Sequence, residues 1–227
     1  SLSKFITFLY IIYANNHFLF VDAGACSKSS AVWKSDCTLT SEIKATHSRS
    51  ISSGTPYKQT IVEAGGHFRF MNIDPHVRNV VVRLTDLRFN RFWTCGGACH
   101  GGALYSKDGA SLVLTRCHFH SNQAGHTSGG KPTGNMYGGA MYLVNTHLFS
   151  LDTIYTNNVA TYGAAVYLDG DATYAVFMGQ KSEMRGNKGS IGNSNALQSA
   201  NPYYQFVDID PNKIGSATSY GGRKVHH

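Results

Sequence analysis

Two pairs of aspartates have the spacing nearest to that of a catalytic carboxylate pair. They are Asp169 with Asp171 and Asp208 with Asp210. Aspartates two residues apart share one face of an extended strand, and glycoside hydrolysis requires two carboxylates that flank one bond. However, Gly170 and Pro211 favour turns at these places, where an aspartate more often caps a turn than binds a substrate or calcium. The sequence therefore assigns no catalytic residue and keeps the four aspartates only as candidates.

Cysteine and histidine are the side chains that would form disulfides or bind a metal. The cysteines are Cys26, Cys37, Cys95, Cys99 and Cys117. Cys26 and Cys37 can close a short loop. Cys117 can pair with Cys95 or Cys99 across adjacent turns of chain, which leaves one thiol over. Zinc needs four ligands, which the last three cysteines and their histidine neighbours offer only at loose spacing. We expect disulfides, with unpaired buried cysteines as the alternative, and no metal or other cofactor.

Regularly spaced tyrosines and histidines are the candidates for binding. Tyr105, Tyr142 and Tyr167 each end a short glycine-rich phrase, so stacked phrases would align the three rings in a column. Rings that face outward would form a platform for carbohydrate or protein partners, whereas rings that face inward would belong to the core. The sequence leaves both open. His118 and His120 flank a phenylalanine, and in a strand both histidines would point outward together.

A repeated pair of phrases indicates the elements that would position these side chains. The first phrase is GGALY at Gly101–Tyr105, GGAMY at Gly138–Tyr142 and the divergent GAAVY at Gly163–Tyr167. A second repeated motif, which we call the answering phrase, follows each copy of the first. It is FHSN at Phe119–Asn122, IYTN at Ile154–Asn157 and MRGN at Met184–Asn187. A repeat of about 25–37 residues without helical periodicity is typical of a β-solenoid.

Coils stacked about 4.8 Å apart would place equivalent residues above one another. Superposing the phrases predicts one interior ladder of Phe89, Phe119, Ile154 and Met184, and another of Leu84, Leu114 and Phe149. It also predicts a buried amide ladder of Asn122, Asn157 and Asn187. Glycines of the first phrase would allow sharp bends and a close approach of neighbouring coils. They are Gly101, Gly102, Gly138, Gly139 and Gly163.

The alternating phrases resemble the GGA[ILV]…FxxN repeats of polymorphic outer membrane proteins, over Arg78 to about Gly189. That family is similar to other right-handed parallel β-helices, including the pectate-lyase-like group. The resemblance implies a secreted or surface-exposed adhesive or scaffold protein. This sequence departs from the family pattern at Ala164, at Phe92, where asparagine is expected, and at Met184, where an aromatic residue is expected. The departures affect the outer coils more than the central two.

The chain on either side of the repeats is expected to form caps. We divide the whole chain into three parts. Residues 1–56 hold N-terminal strands that form a cap, residues 57–189 form the parallel β-helix, and residues 190–227 form a C-terminal cap or tail. Residues 1–25 resemble a signal peptide, but their aromatic and β-branched residues favour two buried strands. Within the repeats, the glycine-rich insertion Gln123–Tyr137 is predicted to protrude as a loop.

The charge of the protein indicates which kinds of molecule it could bind. The formal net charge is +7, which favours anionic partners. No long basic run and no aromatic-and-basic RNA motif accompanies this charge, so we expect no nucleic acid.

The sequence as a whole predicts an all-β fold, a right-handed parallel β-helix of about five to seven coils with irregular N- and C-terminal caps. The expected function is that of a non-enzymatic, secreted or cell-surface structural or adhesive protein. It would assemble with other protein subunits through coil ends or edges, and carbohydrate is the second expected kind of partner. The alternatives are a polysaccharide lyase or glycoside hydrolase of the pectate-lyase-like type, and a carbohydrate-binding module.

Overall fold

The computed structural model describes most of the chain between residues 31 and 226, together with Cys26. The described ranges are 31–64, 66–73, 79–94, 100–128, 131–132, 134–189, 197–199, 203–214, 217–219 and 224–226. In these ranges the chain forms β-strands and one 3₁₀ helix, Pro211–Lys213, and no α-helix. The described part contains no helix that is both long enough and apolar enough to cross a membrane. The predicted all-β class is confirmed.

The strands are numbered in chain order. They are β1 (Val32–Trp33), β2 (Cys37–Leu39), β3 (Ile43–Ala45), β4 (Arg49–Ser53), β5 (Thr60–Ala64), β6 (Met71–Ile73), β7 (Val81–Thr85), β8 (Leu87–Asn90), β9 (Trp93–Thr94), β10 (Leu104–Lys107), β11 (Ser111–Thr115), β12 (His118–His120), β13 (Gln123–Ala124), β14 (Thr127–Ser128), β15 (Lys131–Pro132), β16 (Met141–Val144), β17 (His147–Leu151), β18 (Ile154–Thr156), β19 (Val159–Ala160), β20 (Val166–Asp169), β21 (Tyr174–Met178), β22 (Glu183–Arg185), β23 (Lys188–Gly189), β24 (Leu197–Ser199), β25 (Tyr203–Val207), β26 (Ala217–Ser219) and β27 (Lys224–His226).

Apart from β14 and β15, the described strands form parallel sheets, and successive turns of the chain reach these sheets in the same order. The eight-stranded sheet has the order β1-β4-β7-β11-β17-β21-β25-β27, and the seven-stranded sheet has the order β26-β24-β20-β16-β10-β6-β3. The six-stranded sheet has the order β2-β5-β8-β12-β18-β22, and the four-stranded sheet has the order β23-β19-β13-β9. One turn supplies β10, β11, β12 and β13, and the next supplies β16, β17, β18 and β19 to the same sheets. The turns, or coils, therefore stack in order, as in a β-solenoid.

The insertion between two of these coils is shorter than predicted. Gln123 belongs to β13 and pairs with Trp93 and Val159 in the four-stranded sheet. Tyr137 forms a parallel bridge with Tyr162 of the next coil. Between these two residues, β14 and β15 pair with each other in an antiparallel way. Both ends of the predicted loop Gln123–Tyr137 thus belong to the coil stack, and only its middle is inserted.

Large side chains fill the interior against the six-stranded sheet. Phe89, Phe119, Tyr155 and Met184 are in register on successive strands and are all buried. The ring centroids of Phe89 and Phe119 are 4.7 Å apart, and those of Phe119 and Tyr155 are 5.4 Å apart. The prediction that Ile154 occupies this ladder is wrong, because Ile154 pairs with His118 and is partly exposed.

The predicted amide ladder exists at the turn between the six-stranded and four-stranded sheets. Asn122, Asn158 and Asn187 are its buried members. The side-chain oxygen of Asn158 accepts the backbone N–H of Asn122 at 3.0 Å, and that of Asn187 accepts the backbone N–H of Asn158 at 3.0 Å. The side-chain amides also donate along the ladder, at 3.0 Å and 2.9 Å. Phe92 takes the end position, where its backbone N–H donates to Asn122 Oδ1 at 3.0 Å.

A left-handed backbone position before each ladder residue explains why Asn157 was wrongly predicted to belong to the ladder. Ser121, Asn157 and Gly186 have φ angles of 53°, 57° and 63° and directly precede the buried asparagines. Asn157 is exposed, and its role is the turn, to which asparagine is well suited. The predicted register was one residue off, and side chains alternate between the two faces of a strand. For this reason the prediction also placed Ile154 and Phe149 on the wrong face.

The second predicted ladder is confirmed only for its first two members. Leu84 and Leu114 pair in the eight-stranded sheet and are buried. The third member is Ser150, since Phe149 lies one residue out of register and is partly exposed. The Ser150 hydroxyl lies 2.9 Å from the hydroxyl of Tyr155, so two buried polar groups satisfy each other there.

Glycines let adjacent coils approach each other where the repeated phrase enters the seven-stranded sheet. Gly101, Gly138 and Gly163 have φ angles of 65°, 67° and 54°, a left-handed conformation that glycine adopts without strain. A Cβ added at Gly102 would lie 2.1 Å from the carbonyl oxygen of Gly139 in the next coil. The predicted bends and close approach are confirmed.

The cysteines follow the prediction in part. Cys26 and Cys37 form a disulfide. Cys117 is a buried free thiol whose Sγ donates to the carbonyl oxygen of Leu84 at 3.3 Å, so its predicted disulfide is wrong. Burial raises the pKa of the Cys117 thiol to about 12, which keeps it protonated and unreactive. Its predicted partners Cys95 and Cys99 lie outside the described residues, as do residues 1–25.

Replacing Cys37 with serine is expected to lower the free energy of unfolding by about 3 kcal/mol, because the disulfide closes a short loop in the unfolded chain. The two cysteines are 11 residues apart in sequence. Urea unfolding with and without reductant measures the effect. Reductant should destabilise the wild type by a similar amount and leave the Cys37→Ser variant unchanged. If the urea unfolding midpoint of the wild type is the same with and without reductant, the prediction is contradicted.

Candidate functional site

The predicted tyrosine column faces outward from the seven-stranded sheet. Tyr105, Tyr142 and Tyr167 are in register on β10, β16 and β20. Their strand neighbours, such as Leu104 and Ser106, are buried, whereas the three tyrosines are partly exposed. Successive ring centroids in the column are 5.6 Å apart. Of the two orientations that the sequence left open, the rings adopt the outward one.

A second column of rings lies beside the first. His100, Tyr137 and Tyr162 each directly precede a glycine of the repeated phrase, so the stacking that aligns the glycines also aligns these rings. The Tyr137 centroid is 4.9 Å from that of His100 and 5.0 Å from that of Tyr162. The two columns touch, because the centroids of Tyr137 and Tyr167 are 4.6 Å apart. We call these six residues the aromatic surface: His100, Tyr105, Tyr137, Tyr142, Tyr162 and Tyr167.

Asp169 orients the central ring of the aromatic surface. The hydroxyl of Tyr142 donates to Oδ2 of Asp169 at 2.7 Å. Burial, together with this hydrogen bond, raises the pKa of Tyr142 above its ordinary value. Burial and the nearby Asp169 carboxylate raise the pKa of Tyr167 to about 12. Both phenols are therefore neutral at physiological pH, and the hydroxyl proton of Tyr142 is the one donated to Asp169.

Polar side chains border the aromatic surface on the side of β6. The guanidinium of Arg69 lies over the ring of Tyr105, 5.1 Å from its centroid, in a cation–π contact. Oδ1 of Asn72 and Nδ1 of His100 are buried and have no hydrogen-bond partner among the described residues. Burial, and then the charge of Arg69, lower the pKa of His100. Flat rings with polar groups at their border suit a ligand that has both apolar faces and hydroxyl groups.

The two predicted surface histidines lie on a different sheet. His118 and His120 point outward from β12 in the six-stranded sheet, and the ring between them, Phe119, is buried. The Thr156 hydroxyl lies 2.7 Å from Nε2 of His118 and 2.9 Å from Nδ1 of His120.

The aspartate pairs occupy the ends of strands. Asp169 ends β20 and accepts the backbone N–H of Gly170 at 2.8 Å as well as the Tyr142 hydroxyl, while Asp171 follows at the turn. Asp208 has a left-handed φ of 53° after β25. Asp210 Oδ1 accepts the backbone N–H of Asn212 at 2.9 Å. These are turn roles, and no group of three or more potential metal ligands forms within the described ranges.

Half of the aromatic surface was missed by sequence reasoning. The sequence predicts Tyr137 to lie in the inserted loop, gives Tyr162 no role, and offers His100, which follows Cys99, as a zinc ligand. The signal was present, since an aromatic residue or histidine stands directly before the first glycine of all three phrases. Extending the repeated phrase by one residue toward the N-terminus would have predicted the second column.

Comparisons of this chain with protein-family models, with curated proteins and with solved structures found no match.

Proposed function

We propose that this chain is a non-enzymatic, secreted or cell-surface adhesive protein that binds carbohydrate through its aromatic surface. The observation that carries the proposal is the contact of six rings in two adjacent columns, one on the outer face of the seven-stranded sheet and one directly beside it. Sugar rings present apolar C–H faces that pack on aromatic rings, and their hydroxyl groups hydrogen-bond at the border. Because the rings repeat with the coils, the surface is elongated along the stack and suits a polysaccharide chain better than a single sugar.

The finer architecture belongs to the same proposal. The fold is a right-handed parallel β-helix of about five to seven coils, since connections between parallel strands of one sheet are right-handed in nearly all proteins. The disulfide between Cys26 and Cys37 supports an oxidising, extracellular location. The outermost strands of a parallel stack carry backbone groups without partners, which favours assembly with further subunits at the coil ends.

Replacing Tyr142 with alanine is expected to weaken glycan binding about 30-fold, because truncating a central aromatic contact costs about 2 kcal/mol. Tyr142 contacts both columns, since its ring lies 4.9 Å from that of His100 and 5.6 Å from those of Tyr105 and Tyr167. A glycan array would identify ligands, and titration calorimetry with one of the polysaccharides bound would measure Kd. Tyr142→Phe keeps the ring and should change Kd less than about threefold.

Tyr203→Ala is the matched control, because Tyr203 lies on β25, outside the aromatic surface, and is 48% exposed. This variant should bind as the wild type does. Equal weakening by Tyr142→Ala and Tyr203→Ala, or no binding to any neutral or acidic polysaccharide, would overturn the proposal. If the wild type released reducing ends from a polysaccharide and Asp169→Asn abolished that release, the protein would be an enzyme instead.

A further inference from the structure

We infer that the outer face of the six-stranded sheet holds a second binding site, separate from the aromatic surface, for one tetrahedral oxyanion group, a sulfate or a phosphate. Its residues, which we call the basic cluster, are Arg88, Arg91, His118, His120 and Arg185. The inference does not rest on glycan binding by the aromatic surface, which lies on another sheet.

Coil stacking brings these cations together from separate parts of the sequence. Arg88 of β8 pairs in register with His118 of β12, and His120 pairs with Thr156 of β18. Thr156 in turn pairs with Arg185 of β22. The members of the cluster that lie on strands stand on the outward face, because each is directly beside a buried residue of the interior ladder. Arg91 is exposed and follows the end of β8.

A single hydroxyl fixes the two imidazoles side by side. The ring centroids of His118 and His120 are 5.4 Å apart, and Thr156 Oγ1 is within hydrogen-bond distance of both rings. Those bonds use Nε2 of His118 and Nδ1 of His120, which leaves Nδ1 of His118 and Nε2 of His120 for another partner. A threonine oxygen has two lone pairs, so it can accept an N–H from each ring when both rings are protonated.

The acidic side chains near the cluster already have partners. Glu63 of β5 accepts the side-chain amide of Asn90 at 2.7 Å, and Glu183 of β22 pairs with Arg185 at 2.9 Å. Arg88 lies between these two acids in the stack, and its Nε is buried without a hydrogen-bond partner among the described residues. Thus Arg88 and Arg91 have no described countercharge, and a bound anion would supply one.

The titration of the histidines agrees with this excess of positive charge. Burial, and then the charges of Arg88, His120 and Arg185, lower the pKa of His118 to about 4. Burial, and then Arg88 and Arg91, lower the pKa of His120. Both rings are therefore neutral at pH 7 in the free protein, and an anion between them and Arg88 would raise both pKa values again.

A tetrahedral oxyanion fits these donors better than the alternatives. Guanidinium and imidazolium groups donate directed hydrogen bonds to sulfate or phosphate oxygens. Nucleic acid without sequence preference is held by aromatic rings that stack on bases as well as by cations. Within the described residues, the outward column beside Arg88 and His118 continues with Ile154 and Glu183 and contains no such ring.

Acidification is expected to strengthen the binding. Anion binding favours the protonated histidines, so the complex takes up protons and affinity rises as pH falls toward the pKa values of the free rings. Titration calorimetry with inorganic sulfate, at constant ionic strength set with chloride, should give a lower Kd at pH 5.5 than at pH 7.5. The same measurement with inorganic phosphate at pH 7.5 tests the second anion. Replacing both His118 and His120 with glutamine should remove this pH dependence for sulfate, whose own charge is constant over this range.

Arg88→Gln is expected to raise the Kd for sulfate about tenfold, the typical effect of losing a charge-assisted hydrogen bond. Lys44→Gln is the control, because it removes one positive charge from an exposed position on β3 in the seven-stranded sheet. It should change Kd less than about twofold. Far-UV circular dichroism and the Tm of each variant show that it folds, and Arg88→Lys should restore part of the affinity.

Dextran sulfate and unmodified dextran distinguish an anion carried by a polysaccharide from a free ion. Dextran sulfate could bind more tightly than free sulfate, with an affinity that Arg88→Gln lowers and Tyr142→Ala leaves unchanged. That result would indicate a sulfated polymer as the source of the anion. If Arg88 were needed only for the binding of free sulfate or phosphate, the ligand would be the free ion. Both results support the site. The inference is overturned if Arg88→Gln and Lys44→Gln have equal effects, or if the affinity for sulfate falls on acidification. It is also overturned if single-stranded DNA binds more tightly than either anion and that binding depends on Arg88.

Discussion

Substitution of Gly139 by alanine is expected to lower the free energy of unfolding by at least about 3 kcal/mol, because the added methyl group would enter space that backbone atoms already fill. A Cβ at Gly139 would lie 2.1 Å from the carbonyl oxygen of Ala164 and 2.7 Å from both the nitrogen and the oxygen of Val159. A flexible side chain can move aside, but these are backbone atoms of Val159 in β19 and of Ala164, which lies just before β20 of the next coil. Relief therefore requires neighbouring coils to separate.

Gly109→Ala is the matched control for this prediction. A Cβ there would meet nothing within 4 Å, but Gly109 has a φ of 90°, so alanine would cost only about 1–2 kcal/mol of backbone strain. Gly139 is outside the left-handed region and tests steric exclusion alone. Urea unfolding measures both variants. If Gly139→Ala destabilises no more than Gly109→Ala does, adjacent coils are not held at the distance that the structure shows.

Substitution of Asn158 by alanine is expected to lower the free energy of unfolding by about 3–5 kcal/mol, because each buried polar group left without a partner costs about 1–3 kcal/mol. Asn158 Oδ1 accepts from both the backbone N–H and the side-chain amide of Asn122, each at 3.0 Å. Its own amide donates to the carbonyl oxygen of Phe119 at 3.0 Å and to Asn187 Oδ1 at 2.9 Å. Alanine replaces none of these bonds, and the site is buried.

The neighbouring asparagine provides the control. Asn157 is exposed and has a φ of 57°, a conformation that glycine adopts freely. Asn157→Gly should therefore change stability by no more than about 0.5 kcal/mol. Thermal and urea unfolding of the two single variants would locate the ladder directly. A larger loss in Asn157→Gly than in Asn158→Ala would place the ladder one residue earlier in the chain.

The repeated phrase predicted the equivalence of coils correctly wherever glycine defined it. Gly101, Gly138 and Gly163 have the same left-handed backbone, and Tyr105, Tyr142 and Tyr167, four residues later in each phrase, are in register. Glycine is informative because few other residues tolerate that conformation. The all-β class and the stacking of parallel strands followed from the same phrase.

The answering phrase was less informative because two adjacent asparagines fit it. Apolar and polar residues alternate with a period of two in a strand, so registers that differ by one residue place opposite sets of side chains inside. Ile154 and Tyr155 are both acceptable in a core, and Asn157 and Asn158 are both acceptable at a turn. The hydrogen bonds between coils select Asn158, and with it Tyr155.

The amino-acid sequence by itself determined the repeat, the glycine positions and the tyrosine column of this protein, because those depend on local backbone requirements and on equal spacing. The tertiary structure decided the outward orientation of the column and the meeting of Arg88 with His118 and His120. These features depend on which residues of different coils pair with one another. Coil-to-coil hydrogen bonding sets that pairing, and the composition of a single phrase does not specify it.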